Sequence, residues 1–274
     1  MKNRIDVSVI IPAYNAAETT VSLVNKILSE TRVAIELMIV DDGSTDETAN
    51  ILRQVHDDRL ILIKQANQGV YAARNTALDI HQGEWGGFLD ADDDITDGFI
   101  EKRWQAATAS QGDVVLFNGW HSGADNHRRA VHTKQPYGTT LSGHDWIRHC
   151  VIRREWPHYL WLQMVRSSYI KQHSLCFQHG KSHKDILWTV HLAVGNGRLS
   201  VMDVKDYIYI NNKVSITHRP DYYDIRAISY VEVIAEIIRL AEQEQNKKNK
   251  GIFAQTCISR SQALFRVIQK QNSG

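Results

Sequence analysis

Four carboxylates crowd one short segment of this chain. An apolar run, Trp85-Gly86-Gly87-Phe88-Leu89, leads directly into Asp90-Ala91-Asp92-Asp93-Asp94. Acids packed this closely repel one another, and a fold gains nothing from holding them together. A divalent cation removes the repulsion. Hard oxygen ligands suit Mg²⁺ or Mn²⁺, and such ions are commonly shared with substrate phosphates. An Asp-x-Asp at the end of a buried strand therefore points to a metal-bridged nucleotide site, set against the plainer reading of a solvated acidic turn.

Positioning those acids requires a scaffold, and the first 118 residues read as alternating strands and helices. Strands are expected at 7–11, 35–40, 60–64, 85–89 and 114–118. Helices are expected from about Ala17, then over 46–55, 70–80 and 97–109. Strands alternating with helices at this spacing imply a mainly parallel sheet covered on both faces. Ligands of such sheets bind beyond the carboxyl ends of the strands. Pro12–Asn15, Asp41–Gly43 and Asp90–Asp93 all fall at those ends, so three distinctive turns converge on one rim. Further along, 119–140 reads as a loop or hairpin, 146–153 as a helix, and 156–165 as a strand lining a pocket. Helices over 186–194, 225–243 and 252–268 follow, with strand pieces at 199–210 and a hinge at 247–251. The organisation expected is a nucleotide-binding half (1–120), an acceptor-binding and catalytic half of the same domain (121–220), and C-terminal helices (221–274).

Composition narrows the class. The 274 residues are 43% hydrophobic and 23% charged, as in ordinary globular proteins. A net charge of +1 gives no general attraction to nucleic acid. Beyond Gln245 the charged residues are Lys247, Lys248, Lys250, Arg260, Arg266 and Lys270, all basic, which suits either a solvated tail or an anionic membrane surface. Three scattered cysteines form no disulfide framework, and no stretch reaches the roughly 20 apolar residues of a membrane span. A cytoplasmic protein, peripheral to the inner face of the membrane, is the expectation.

Competing motifs fail. Pro12-Ala13-Tyr14-Asn15-Ala16-Ala17 replaces the glycine-rich turn of a dinucleotide fold. Gly180-Lys181-Ser182 lacks the earlier glycine and strand of a phosphate loop, and His179 with His183 lacks a third zinc ligand.

Four blocks, Val9–Asn15, Val40–Asp46, Asn67–Asn75 and Phe88–Asp93, resemble glycosyltransferase family 2 in order and spacing. The second half, through Arg154–Trp161, His183–Thr189, Tyr207–Tyr209 and Ser215–Thr217, is similar to bacterial lipopolysaccharide core glycosyltransferases, among them those that add glucuronate to a core heptose. The resemblance implies an α/β GT-A fold with a C-terminal helical extension. It also implies inverting transfer from a UDP-sugar to a lipid-linked or lipopolysaccharide glycan, with Mn²⁺ or Mg²⁺. By position it assigns Pro12, Tyr14, Asp41 and Asp42 to the uridine, Arg74 to the diphosphate, and Asp90 and Asp92 to the metal motif with Asp92 the direct ligand. Asp185 matches the catalytic base. His218 is a candidate third metal or phosphate contact, and Trp156, His158 and Trp161 are a candidate acceptor platform. One departure is Lys184, where the family usually has an acid. An ammonium there, unless it points away, would join the helix N-terminus in depressing the Asp185 pKa and weakening it as a base. A nucleotidyltransferase and a non-catalytic binding partner in a polysaccharide-assembly complex are the alternatives.

Overall fold

A computed structural model describes residues 4–123, 127–180, 182–210 and 222–271, with side chains to 264. The first half forms β1 (Val7–Ala13), α1 (Ala17–Ser29), β2 (Ile35–Asp41), α2 (Thr48–Leu52), β3 (Leu60–Lys64), α3 (Val70–Leu78) and β4 (Trp85–Phe88). These four strands pair in parallel in the order β3-β2-β1-β4. Every residue of β1 and β2 is buried, as a parallel sheet covered on both faces requires.

The chain then adds β5 (Asp94–Ile95), α4 (Phe99–Ala109), β6 (Val114–Ser122), β7 (Arg128–Ala130), β8 (Thr139–Ser142) and α5 (Gly143–Arg153). It continues through β9 (Gln163–Arg166), α6 (Ser167–Gln172), α7 (Lys184–Val194), β10 (Arg198–Ile210), α8 (Tyr222–Gln243) and α9 (Lys247–Gln271). The ten strands of the described residues form one sheet along β3-β2-β1-β4-β9-β6-β10-β5, with β7 on β6 and β8 on β10. β9 runs antiparallel to both β4 and β6, inserting a reversed strand in the middle of the sheet.

Alternation along the strands divides the core. Ile10, Met38, Val40, Phe88 and Leu116 face one layer, with Trp146, Trp188, Phe177, Val233 and Phe253 from the helical side. Val9, Ile11, Leu37, Ile39 and Phe117 face the other, against Leu23, Val24 and Ile27 of α1 and Phe99 and Ile100 of α4. A buried ion pair ties α4 to β10: Arg103 Nη2 lies 2.6 Å from Asp206 Oδ1, and Arg103 also donates to the Trp161 carbonyl.

Several expectations shift. The segment 156–165 is not a strand: Leu160–Leu162 form a 3-10 turn, and β9 begins only at Gln163. Within 119–140 the end of β6 pairs with β7 as a hairpin, and β8 pairs with β10. Residues 247–251 are no hinge but the start of α9, where Asn246 Oδ1 accepts from the Lys248 N–H. Arg260 does not belong to a solvated basic face, because it is 8% exposed and packed inward. Among the described residues, no helix is long and apolar enough to cross a membrane.

Candidate active site

Three strand ends meet at the rim. The turn after β1 and the turn after β2 are stitched together: Asn15 N–H donates to Ser44 Oγ at 3.0 Å, and Thr45 N–H donates to Asn15 Oδ1 at 2.8 Å. The third loop, 65–69, comes so close that a Cβ on Gly43, whose φ is +77°, would sit 2.9 Å from the Asn67 nitrogen. Only glycine fits both the backbone and the space. Tyr14 projects from this rim, 48% exposed, while Pro12 lies buried inside β1 opposite Val40.

The two aspartates ending β2 have different work. Asp42 accepts from Gln65 Nε2, Gln68 N–H and Gly69 N–H, at 2.8 to 2.9 Å. Both its oxygens anchor the loop at the rim where the uracil contact is expected of it. Asp41 accepts from Ser44 N–H through Oδ1, and its buried Oδ2 has no partner among the described residues.

Arg74 rises from α3, 5% exposed, and its Nη2 lies 2.6 Å from Asp90 Oδ1. Asp90 stays partly open to solvent, yet its surroundings are poor enough in water that burial raises its pKa; Arg74 opposes the rise, and Asp92 and Asp185 add to it. Asp93 is buried beneath, accepting from the Tyr207 hydroxyl at 2.7 Å and the Ile210 N–H at 2.8 Å. Burial, with Asp90 and Asp92 nearby, pushes it up to about 8. Asp90, Asp92 and Asp93 thus crowd together with one arginine paired to Asp90, a set of hard oxygen ligands that fits a divalent cation. Among the described residues, no three acidic, histidine or cysteine side chains form a ready-made metal cage. A cation here would be held by one or two carboxylates and completed by substrate oxygens, as Mg²⁺ commonly is. His218 lies outside the described residues.

Asp185 reaches the same rim from the far end of the sequence, in the first turn of α7. Its charge acts on both Asp90 and Tyr71, and Arg74 acts on it. The turn is fixed by the Lys184 N–H, which donates to the Tyr71 hydroxyl at 3.1 Å. Lys184 itself points away, its Nζ 2.5 Å from Glu232 on α8. The depressed pKa expected for Asp185 is therefore overturned. Burial raises it, outweighing His183, Arg74 and the helix N–H groups. His158 Nε2 stands 3.7 Å from Asp185 Oδ2. Burial, with Arg260 adding, pushes the His158 imidazole down to about 4, so it is neutral. His183 is held down to about 4 as well, again by burial.

The aromatic platform divides. Trp161 is 2% exposed and stacked between Tyr159 and Tyr207, with ring centroids 5.0 and 4.3 Å away. It backs the tyrosine that holds Asp93 and offers no face to a sugar. Trp156 is half-buried beneath the Arg260 guanidinium, 4.8 Å from its ring centroid. Sequence reasoning missed Tyr71, Arg226 and Arg260. The signal for Arg260 was present: Ile252, Phe253, Thr256 and Arg260 share one helical face, and all four are buried.

Residues 8–168 match the model of the family described as Glycosyl transferase family 2. The chain is 28% identical over 250 residues to the uncharacterized glycosyltransferase YibD of Escherichia coli K12, covering 86% of this chain and 70% of that protein. Over 88 residues, 32% of this chain and 35% of the relative, it is 46% identical to an Escherichia coli enzyme, UDP-Glc:alpha-D-GlcNAc-diphosphoundecaprenol beta-1,3-glucosyltransferase WfaP. Among solved structures, S. aureus TarS 1-349 in complex with UDP-GlcNAc superposes with TM-score 0.73 at 21% identity, covering 93% of this chain and 72% of that one. The mannosyltransferase PcManGT from Pyrobaculum calidifontis, in complex with GDP-Man and Mn2+, gives 0.63 at 18%, covering 98% and 74%. At these identities the structural likeness establishes the fold, which is GT-A.

Proposed function

This chain belongs to glycosyl transferase family 2, and from that premise we propose that it moves a sugar, with inversion, from a UDP-sugar to a hydroxyl of a lipid-linked or lipopolysaccharide glycan. The observation that carries this reading is Asp185 standing in electrostatic reach of the Arg74–Asp90 pair, a partly desolvated carboxylate beside the rim where a diphosphate would leave. WfaP, named for a UDP-glucose donor and a lipid-diphosphate acceptor, supports the substrate classes.

The uridine is assigned to Tyr14 and to Asp41, whose Oδ2 is the unused acceptor of the Asp41–Asp42 pair. Arg74 is assigned to the diphosphate, and its Nε, which has no partner among the described residues, is a donor for a phosphate oxygen. Asp92, with Asp90 beside it, would hold Mn²⁺ or Mg²⁺, which supplies charge neutralisation to the departing diphosphate when bound. Asp185 takes the proton of the attacking acceptor hydroxyl. Its raised pKa makes it a stronger base than an ordinary aspartate, and neutral His158 leaves that basicity intact. A single displacement needs no enzyme nucleophile.

The test is a panel of UDP-glucose, UDP-galactose, UDP-N-acetylglucosamine and UDP-glucuronate, with and without Mn²⁺, scored by thermal shift and by UDP release. At least one donor should stabilise the fold and release UDP with metal present, and Asp92→Asn should abolish the release. Release of pyrophosphate from nucleoside triphosphates, with all four UDP-sugars inert, would overturn the transferase reading.

A further inference from the structure

Near Asp185 stand two arginines that form no ion pair among the described residues, although the Asp185 charge reaches Arg260. Arg260 of α9 is 8% exposed, with its guanidinium over Trp156. Arg226 of α8 lies over the Tyr222 and Tyr230 rings, at 5.8 and 5.6 Å. The Tyr230 hydroxyl lies against both guanidiniums. Among the described residues no carboxylate oxygen comes within 4.0 Å of either, and two acids of α8 are engaged elsewhere: Glu232 with Lys184, and Glu236 with His191 and Arg239. Three buried donors here, Arg226 Nε, Arg260 Nε and Trp156 Nε1, have no acceptor among the described residues. Both arginines act on His158 and His183, the neighbours of Asp185, so the cluster and the base share one recess.

Buried cations are retained where something pairs with them, and buried N–H donors where something accepts. A neutral sugar hydroxyl would meet the donors and leave the charge. An oxyanion meets both, and arginine offers the planar fork that carboxylate and phosphate fit. Arg74, which also acts on Asp185, is already paired with Asp90 at the donor rim. We propose that Arg226, Arg260, Trp156 and His158 form an acceptor subsite for a sugar bearing a phosphate or carboxylate, which places its hydroxyl at Asp185. This rests on the reading of Asp185 as the base of the transfer. Lys184, the departure from the family pattern, is spent on Glu232 and has no part in this cluster.

The experiment uses the full chain saturated with UDP and Mg²⁺. Glucose 6-phosphate and glucuronate are titrated calorimetrically, with glucose as the neutral control. The two anionic sugars separate phosphate from carboxylate recognition, and either one binding at least about tenfold tighter than glucose supports the subsite. Arg226→Gln and Arg260→Gln should each erase that preference, and Arg260→Lys should keep part of it. Arg226 is half-exposed, so its variant tests the idea even if Arg260→Gln fails to fold. Equal binding of charged and neutral sugars, a preference unchanged in Arg226→Gln, or displacement of the anionic sugar by UDP would each overturn the proposal. So would a preference for UDP-glucuronate over UDP-glucose that vanishes in Arg260→Gln, since the anion would then belong to the donor. Affinity for UDP, read in the same titrations, reports separately on the donor rim.

Discussion

Asp185 and Asp42 show how one side-chain type takes opposite roles according to what surrounds it. Asp185 is a carboxylate with a raised pKa and few fixed partners, which costs stability when it is charged. A group with a raised folded pKa contributes stability at low pH and loses it as pH rises through that pKa. Asp185→Asn should therefore leave stability at pH 7 unchanged or slightly improved while turnover falls at least about 100-fold, the lower range for general-base catalysis. Single-turnover kinetics beside urea unfolding read both quantities; a rate within a few-fold of wild type would assign the base elsewhere, with His183 next in line. In the wild type, kcat/KM should rise with pH through a midpoint above the ordinary aspartate value of about 3.9. Asp42 is the reverse case, buried with three N–H groups aimed at it. Asp42→Ala removes the carboxylate that the Gln68 and Gly69 N–H groups share, and we expect a loss of about 1–2 kcal/mol in urea unfolding, since Gln68 is exposed and water replaces part of the bonding. Weakened UDP binding with no change in stability would instead restore Asp42 to the uracil.

Between elements, the connections that hold the site are mostly ones that the sequence pattern could not display. The alternation of strands and helices to residue 118, and the three turns at the sheet rim, were legible because hydrophobic periodicity and turn chemistry are local. β9 was not, because its four residues sit in the sheet only through β4 and β6, and the apolar stretch before it is a 3-10 turn and a stack of rings. Nor was the partner of Lys184, since Glu232 is 48 residues away on another helix. The Arg103–Asp206 pair is of the same kind, joining α4 to β10 across 103 residues. Arg103→Ala should cost about 3–5 kcal/mol by leaving Asp206 buried and unpaired, and Arg103→Met combined with Asp206→Leu should recover most of it. Chemical denaturation of the two single variants and the double variant decides this; additive losses would remove the coupling. A second link joins the β7–β8 connection to the segment after α5. Glu155 accepts from the Thr133 and Lys134 N–H groups and lies 3.8 Å from His132. Burial holds the His132 imidazole down to about 4. Its contribution is complete above the unfolded value of about 6.5 and is lost as pH falls toward 4. His132→Gln should therefore shrink the stability lost between pH 7 and pH 5 by about 1–2 kcal/mol. Parallel pH profiles for the two proteins would show the idea wrong.

On the scale of the molecule, α8 and α9 are part of the enzyme's core and not an appendage. Tyr230, Val233, Ile237, Ile252 and Phe253 belong to the same buried layer as Ile10, Val40 and Phe88 of the sheet. The layer passes through α7, so the helix that carries Asp185 is packed between the sheet and the C-terminal pair. Arg226 and Arg260 ride on that pair, and Lys184 is anchored to it. Packing energy and site geometry are therefore coupled: whatever loosens α9 moves the arginines and unseats the turn that carries Asp185, the proposed base. Phe253 is the residue to test, 1% exposed and edge-on to His144 at 6.1 Å, well away from Asp90 and Arg74 in sequence. Phe253→Ala should cost about 3–5 kcal/mol as a large-to-small core change. Unfolding should remain a single transition, because α9 has no separate core of its own. The variant should keep its affinity for UDP, which the proposed function assigns to the β1, β2 and β4 ends, and lose transfer in proportion to the displacement of α9. Two resolved transitions in the wild type, or full transfer by a Phe253→Ala protein destabilised by the expected amount, would mean that the C-terminal helices stand apart from the catalytic machinery.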